Sequence, residues 1–451
     1  MQIVNAIIHG IKSGVLQKDT VLPGSRNLAE LLNLNRNTIV KALNILTAEG
    51  WLVSIERKGI FVAGNIPEMH TNTSVSEIPK YTRKKIIQAD IIFDDGIPDT
   101  NIAPMESLSR AYRRVFNQKA RRRLMNYSNA LGSVEFREAI AQMLYFKRGL
   151  CIDVDHICIT RGSQMAMYLI AQILFTKGDV VIVENPGYLS AWKAFETSEV
   201  TVIPVEIDRE GLLVDHIELI LKKNTKIKAV FVTPHHQYPT TVTMSLTRRL
   251  KLIELSNMYG FTIIEDDYDH EFHFGQRPVL PISSHKEIQN YLYIGSMSKV
   301  VAPALRIGYL VGSPDFIHKI GSLRETIDVQ GDIIMELAVL DLIHSGEIRK
   351  HLKRATAYYK EKREAFKCLL EKHLSGKITY TIPEGGLAFW VQSNEVIDYE
   401  NVYTSLLQKR IEIIHPNKFS YQKEVQGLRL GYASLSSEDL RKGLIEIGKL
   451  L

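Results

Sequence analysis

The hydrophobic pattern changes period along the chain. In the first sixty or so residues, apolar positions recur at helical spacing. "VNAIIHGIKSGVL" carries such a stripe and stops at Gly14. In "LPGSRNLAELLNL", Ser25 is placed to cap a helix with Leu28, Ala29, Leu31 and Leu32 on its apolar face. "NRNTIVKALNILTAEGW" has Asn35 as cap, Ile39, Ala42, Leu43 and Leu46 as buried stripe, and Gly50 as its stop. The period then drops to two. "LVSIERKGIFVA" reads as a two-stranded ribbon tipped by Arg57, Lys58 and Gly59. Residues 64–88 are polar and aperiodic and read as a linker. From 89 to 451, strand-like and helix-like segments alternate. "KAVFVTP", "FTIIEDD" and "YLYIGSMS" are short β-rich runs that end in polar residues. That ending suits an α/β sheet with a site at the carboxyl ends of its strands.

Three helices and a basic-tipped hairpin over residues 1–63 predict a small α+β winged helix-turn-helix domain. Arg36, Asn37 and Thr38 open the third helix and Lys41 lies one turn on, where a recognition helix reaches base edges of double-stranded DNA. Arg26, Arg57 and Lys58 are placed to hold phosphates. The other reading is a small helical interaction domain with solvated charges. The stretch from "LPGSRNLAELL" to "KGIFVA" resembles the GntR-type DNA-binding domain, which implies operator binding.

Composition narrows the rest. The 451 residues are 45% hydrophobic and 24% charged, enough for a large core and more than one domain. Three cysteines without a CxxC argue against a disulfide framework and for a reducing compartment. No apolar run reaches membrane-spanning length, and "MQIVNAIIHGIKSGV" lacks a signal-peptide pattern, so a cytoplasmic location without membrane partners is expected. The net charge is +6, and residues 1–63 carry +3 of it, which hints at a polyanion partner.

The chemistry centres on "GSMSKVVAPALRIGYLVG". Lys299 follows Ser296 and Ser298, with Arg306 seven residues on. This setting suits a lysine that binds an aldehyde cofactor, and pyridoxal phosphate is the candidate to test against the rest of the chain. Such a cofactor also needs a carboxylate for its ring nitrogen, a donor for its phenolic oxygen, and a phosphate cradle of N–H groups, hydroxyls and a cation. "IIEDDYDHEF" supplies Asp266 and Tyr268. "ITRGSQMAMYLIAQIL" places Ser163 and Gln164 at the positive end of a helix. Tyr188, in "VENPGYLSAW", offers a ring for stacking.

The order of these pieces resembles the fold type I aminotransferases over about 90–451. The resemblance implies an α/β transferase domain with a smaller C-terminal α+β subdomain, about 335–451. "NYSNALGSVEFREAIAQML" resembles the family segment whose tyrosine, here Tyr127, reaches the phosphate of a neighbouring subunit, which implies a homodimer. "IPEGGLAFWV" resembles the small subdomain's glycine pair and strand. "GLRLGYASL" resembles the segment whose arginine, here Arg429, grips a substrate carboxylate.

One segment departs from the pattern. Where aminotransferases carry Asn-Pro-x-Gly, "TPHHQYPTT" has Tyr238 for the asparagine and Thr241 for the glycine. With a GntR-type domain in front, this resembles the MocR/GabR group of transcriptional regulators. The resemblance implies regulation by a small amino compound, or by pyridoxal phosphate itself, rather than steady turnover. The rival reading is an active aminotransferase carrying a DNA-binding domain, with Lys299 as catalytic base. Two further features have plain readings. The arginines of "SRAYRRVFNQKARRRL" suit a solvated helix face, or else DNA phosphates. His235, His236, His270 and His273 lack the spacing of a metal site.

Overall fold

The structure is a computed structural model that describes residues 1–66, 89–117, 126–223, 226–275, 279–421 and 425–451. The chain divides into two compact units, Met1–Ile86 and Ile87–Leu451. The predicted linker falls mostly outside the described residues, as do Lys119, Arg121, Arg122 and Arg123 of the basic segment.

The first unit has helices α1 (Gln2–Lys12), α2 (Ser25–Leu31) and α3 (Arg36–Ala48) and strands β1 (Val21–Leu22), β2 (Leu52–Ile55) and β3 (Gly59–Val62). The strands form one antiparallel sheet in the order β1-β3-β2. The apolar stripe of α3 is the one expected: Ile39, Ala42, Leu43 and Leu46 are buried, and Asn35 accepts from the Asn37 N–H at 2.9 Å. They share a core with Val4, Ile11, Leu22, Trp51 and Val62. Helix α2 differs from expectation. Gly24, not Ser25, is the N-cap, because Ser25 is already helical. Leu28 and Ala29 pack on the core, but Leu31 and Leu32 are exposed. Leu31 lies off the stripe centred between Leu28 and Ala29, and Leu32 is past the end of the helix.

The second unit is built on an eight-stranded sheet, ordered β5-β12-β11-β10-β9-β6-β7-β8. Its strands are β5 (Ile157–Thr160), β6 (Val180–Asn185), β7 (Thr201–Asp208), β8 (Gly211–Leu212), β9 (Ile227–Val232), β10 (Thr262–Asp267), β11 (Tyr291–Ser296) and β12 (Gly308–Val311). The run from β11 to β7 is parallel, and β12 and β8 reverse. The central strands read as nearly unbroken apolar runs because helices cover both faces. The helix Ser163–Leu174 packs Ala166, Met167 and Ile170 against Val181, Phe231, Ile264 and Ile294 on one face. Leu252 and Ile253 of the helix Leu246–Tyr259 pack against Ile182, Val230 and Ile263 on the other.

The C-terminal subdomain carries β13 (Ile378–Tyr380), β14 (Ala388–Ser393) and β16 (Leu428–Gly431) in one antiparallel sheet. It also takes in a strand from the start of the unit. β4 (Ile91–Phe93) pairs in parallel with β15 (Ile411–Ile413). The long helix Glu347–Leu374 joins the two parts. Ile348, Leu352, Ala355 and Tyr359 belong to the core of the large sheet, while Phe366, Leu370 and Leu374 belong to that of the subdomain. Among the described residues, no helix is long and apolar enough to cross a membrane.

Candidate functional site

The carboxyl ends of β10 and β11 bring the predicted residues together. Asp266 lies beside Ile294 in the register of these strands, and Ser296 closes β11 just before Lys299. Asp266 is 4% exposed, and its Oδ1 has no hydrogen-bond partner among the described residues. Burial, then repulsion from Asp267 and Asp269, raises its pKa well above the ordinary 3.8. The carboxylate behind it is handled differently. Asp267 receives Arg148 Nη2 at 2.5 Å and the Tyr293 hydroxyl at 2.7 Å. Burial alone would raise Asp267, but Arg148 holds its pKa far below the carboxylate range. Two adjacent acids thus end one strand, one ion-paired with an arginine and one with an oxygen that receives no donor among the described residues.

Lys299 Nζ makes no hydrogen bond; it lies 3.8 Å from Asp269 Oδ2 and 4.7 Å from the centre of the Tyr268 ring. His236 Nδ1 pairs with Asp269 at 2.7 Å. Burial opposes ionisation of Asp269, but His236 and Lys299 carry its pKa well below the usual range. Tyr238 meets Tyr188 edge to face at 5.1 Å and Tyr268 at 6.3 Å, so aromatic rings wall the pocket beside the lysine.

A cradle closes the other end. Gly162 is the N-cap of the helix Ser163–Leu174, at φ 81°. A Cβ there would lie 2.7 Å from Arg306 Nη2, so only glycine lets the guanidinium approach. Arg306 donates to the Arg161 carbonyl at 3.0 Å and remains exposed. The Ser296 hydroxyl accepts from the Ser298 N–H at 3.1 Å, while the Ser298 hydroxyl is buried without a partner. Gln164 Nε2 donates to the Ser190 carbonyl at 2.9 Å, and its Oε1 is unpartnered. Free N–H groups at a helix start, an unpartnered hydroxyl and an unpaired arginine fit a phosphate. The orphaned Asp266 oxygen fits a protonated ring nitrogen. The residues present therefore fit pyridoxal phosphate.

Arg429 is also in the site, but it is not free. It is 1% exposed; its Nε lies 2.6 Å from Asp95 Oδ1 and its Nη1 donates to the Pro239 carbonyl at 2.8 Å. Its guanidinium lies 4.9 Å from the centre of the Tyr238 ring, and its Nη2 is 3.5 Å from the Tyr268 hydroxyl. Asp95, Asp269 and the pairing of His236 were not recognised from sequence. "FDDGIPDT" carries no local mark of a site, and His236 stands out in the sequence only within "TPHHQYPTT" and among the four histidines, neither of which points to Asp269. Tyr127 is not brought in: it stands 85% exposed. Arg114, from the basic segment, pairs with Asp341, as a solvated helix face would. The residues expected to meet DNA are all exposed: Arg36, Asn37, Thr38 and Lys41 on α3, Arg26 on α2, and Arg57 and Lys58 at the β2–β3 turn. Arg57 sits at φ 62° to make that turn.

Thr241 takes the left-handed conformation, φ 64°, that the glycine of the aminotransferase pattern would adopt freely. Residues 93–447 match the family described as aminotransferase class I and II. The chain belongs to that family. Its members' cofactor is pyridoxal phosphate, in agreement with the pocket. Residues 1–62 match the gntR family of bacterial regulatory proteins. Relatives of both kinds exist. Aromatic-amino-acid aminotransferase 1 of Thermococcus litoralis is 29% identical over 82% of this chain and 89% of its own length. The "Probable rhizopine catabolism regulatory protein MocR" of Rhizobium meliloti is 26% identical over 96% of this chain and 90% of its own. Among solved structures, the Pyrococcus horikoshii kynurenine aminotransferase superposes with a TM-score of 0.75 at 28% identity, over 80% of this chain and 90% of that one.

Proposed function

We propose that this chain is a pyridoxal-phosphate-dependent transcription regulator. Residues 1–63 bind a double-stranded operator, residues 64–88 link, and residues 89–451 bind the cofactor and a small amino compound. One observation carries the reading: an exposed basic helix and a cofactor pocket in which Asp266 Oδ1 and Lys299 Nζ have no hydrogen bond among the described residues occur in one chain. The relatives that share both halves bear regulator names.

When bound, pyridoxal phosphate supplies an aldehyde that takes up an amine and a ring that withdraws electrons. The protein supplies the rest. Lys299 would hold the cofactor through its amine, and as a free amine it could hold a proton. Asp266 would accept a hydrogen bond from the protonated ring nitrogen, and Tyr268 would donate to the phenolic oxygen. Tyr188 covers a ring face. Ser163, Gln164, Ser296, Ser298 and Arg306 form the phosphate end. Tyr127, exposed on one protomer, serves the phosphate of a second copy in a homodimer. Arg429 would meet the α-carboxylate of a ligand that has one. Ligand binding regulates DNA binding only through different affinities for two states of the protein.

A second reading, an active aminotransferase, is favoured by the T. litoralis enzyme's similarity and by the presence of Lys299, Asp266, Tyr268 and Arg429 together. One experiment separates them. Visible spectra are followed with a panel of amino acids and simple amines, keto acid is assayed in the same tubes, and operator affinity is measured with and without each compound. A lasting spectral change without keto acid, with altered operator affinity, supports regulation. Repeated keto acid formation with unchanged operator affinity overturns it.

A further inference from the structure

The carboxylate on Arg429 belongs to the protein. Asp95 Oδ1 lies 2.6 Å from Nε, and the Tyr238 side chain is hydrogen-bonded to the same acid. Tyr238 also presents its ring to the guanidinium, and the Pro239 carbonyl takes Nη1. The Arg429 charge is therefore offset, and its orientation fixed, before a ligand arrives. The Asp95 side chain is 44% exposed, so solutes reach it. A second acid, Asp269, sits on the lysine side of the pocket, 3.8 Å from Nζ.

We infer that Asp95 is a specificity-determining residue that selects amines lacking an α-carboxylate over α-amino acids. The inference rests on the reading that the pocket takes a small amine at Lys299. An incoming α-carboxylate has two options at Arg429, both unfavourable. It displaces Asp95 and breaks the contacts to Nε and Tyr238, or it shares the guanidinium with Asp95 and meets like-charge repulsion. An amine without that carboxylate leaves Asp95, Arg429 and Tyr238 as they are. The position of Tyr238 joins this to the departure from Asn-Pro-x-Gly: the residue that replaces the asparagine lies against both Arg429 and Asp95.

The test uses the full-length, cofactor-loaded protein and ligand pairs that differ only in the carboxylate: ethylamine with L-alanine, and 2-phenylethylamine with L-phenylalanine. Dissociation constants are read from visible-absorbance titrations of the wild type, Asp95→Asn and Asp95→Ala. The wild type should bind the amine of each pair more tightly. Asp95→Asn should shift the ratio toward the amino acid by about tenfold or more, with the amine's own constant moving less. Asp95→Ala should shift it in the same direction. A ratio that stays put on both substitutions overturns the assignment, whichever ligand is preferred. If no ligand of either class perturbs the cofactor spectrum in the wild type, amine binding itself fails and the assignment falls with it. Tight amine titrations with an unmoved ratio mark the first failure, and their absence marks the second.

Discussion

Asp266→Asn should act with opposite sign on the empty and the loaded protein. In the empty protein the carboxyl is 4% exposed, has an unpartnered oxygen, and has its pKa raised by burial and by Asp267 and Asp269. Between its ordinary value of 3.8 and the raised value, the folded state binds more protons than the unfolded state. Stability is therefore lost as pH rises through that window. Asparagine does not ionise. Above neutral pH the variant's cofactor-free form should gain on the order of 1 kcal/mol, and its stability should depend less on pH. In the loaded protein the same change removes the charged acceptor of the ring-nitrogen proton. A charge-assisted hydrogen bond contributes about 1.5–3 kcal/mol, or roughly 10- to 150-fold in cofactor affinity. Urea denaturation of the cofactor-free protein across pH measures the first effect. Cofactor titration by visible absorbance measures the second. Affinity unchanged within about threefold, far below the loss a charge-assisted bond implies, would refute the ring-nitrogen role.

Arg148→Met should destabilise the second unit by about 3–5 kcal/mol in urea unfolding, because it strands an ionised Asp267 in a 1% exposed pair; Arg148→Met with Asp267→Asn should lose less. Thr241→Gly should gain roughly 0.5–1 kcal/mol in the same assay, since relief of the φ 64° strain exceeds the added entropy of the unfolded chain; a loss would mean the threonine side chain holds the loop. Lys299→Ala should abolish borohydride-trappable cofactor; trapping that persists would move the attachment elsewhere. Arg36→Ala should weaken operator binding by about 1–3 kcal/mol and leave nonspecific binding nearly intact; equal losses would make Arg36 a phosphate contact.

The parts of the site legible in the sequence are the local ones. Asp266 and Tyr268 sit at one strand end, Ser163 and Gln164 at one helix start, and Lys299 with its serines in one turn. A short motif encodes each of these because adjacent residues share a backbone element. Asp95 is 334 residues from Arg429, and His236 is 33 from Asp269. No periodicity or turn signal reports such pairs, because they arise from packing. The same holds for β4, a short strand whose partner β15 lies in another part of the chain. In α2 the apolar composition suggests a wide stripe, but seven residues make only two turns and half-bury two of its hydrophobics. The deep stripe of α3 was readable because thirteen residues repeat it over several turns.

The pairing of β4 with β15 also bears on the order in which the protein comes into being. Asp90 and Arg410, ion-paired across that joint, are 320 residues apart. On a ribosome, the strand that opens the second unit must wait for its partner to be synthesised, on the order of tens of seconds at ordinary elongation rates. The first unit has no such wait, since its sheet, helices and core all lie within residues 1–66. A nascent chain would thus own a folded gntR-family unit well before the cofactor pocket exists.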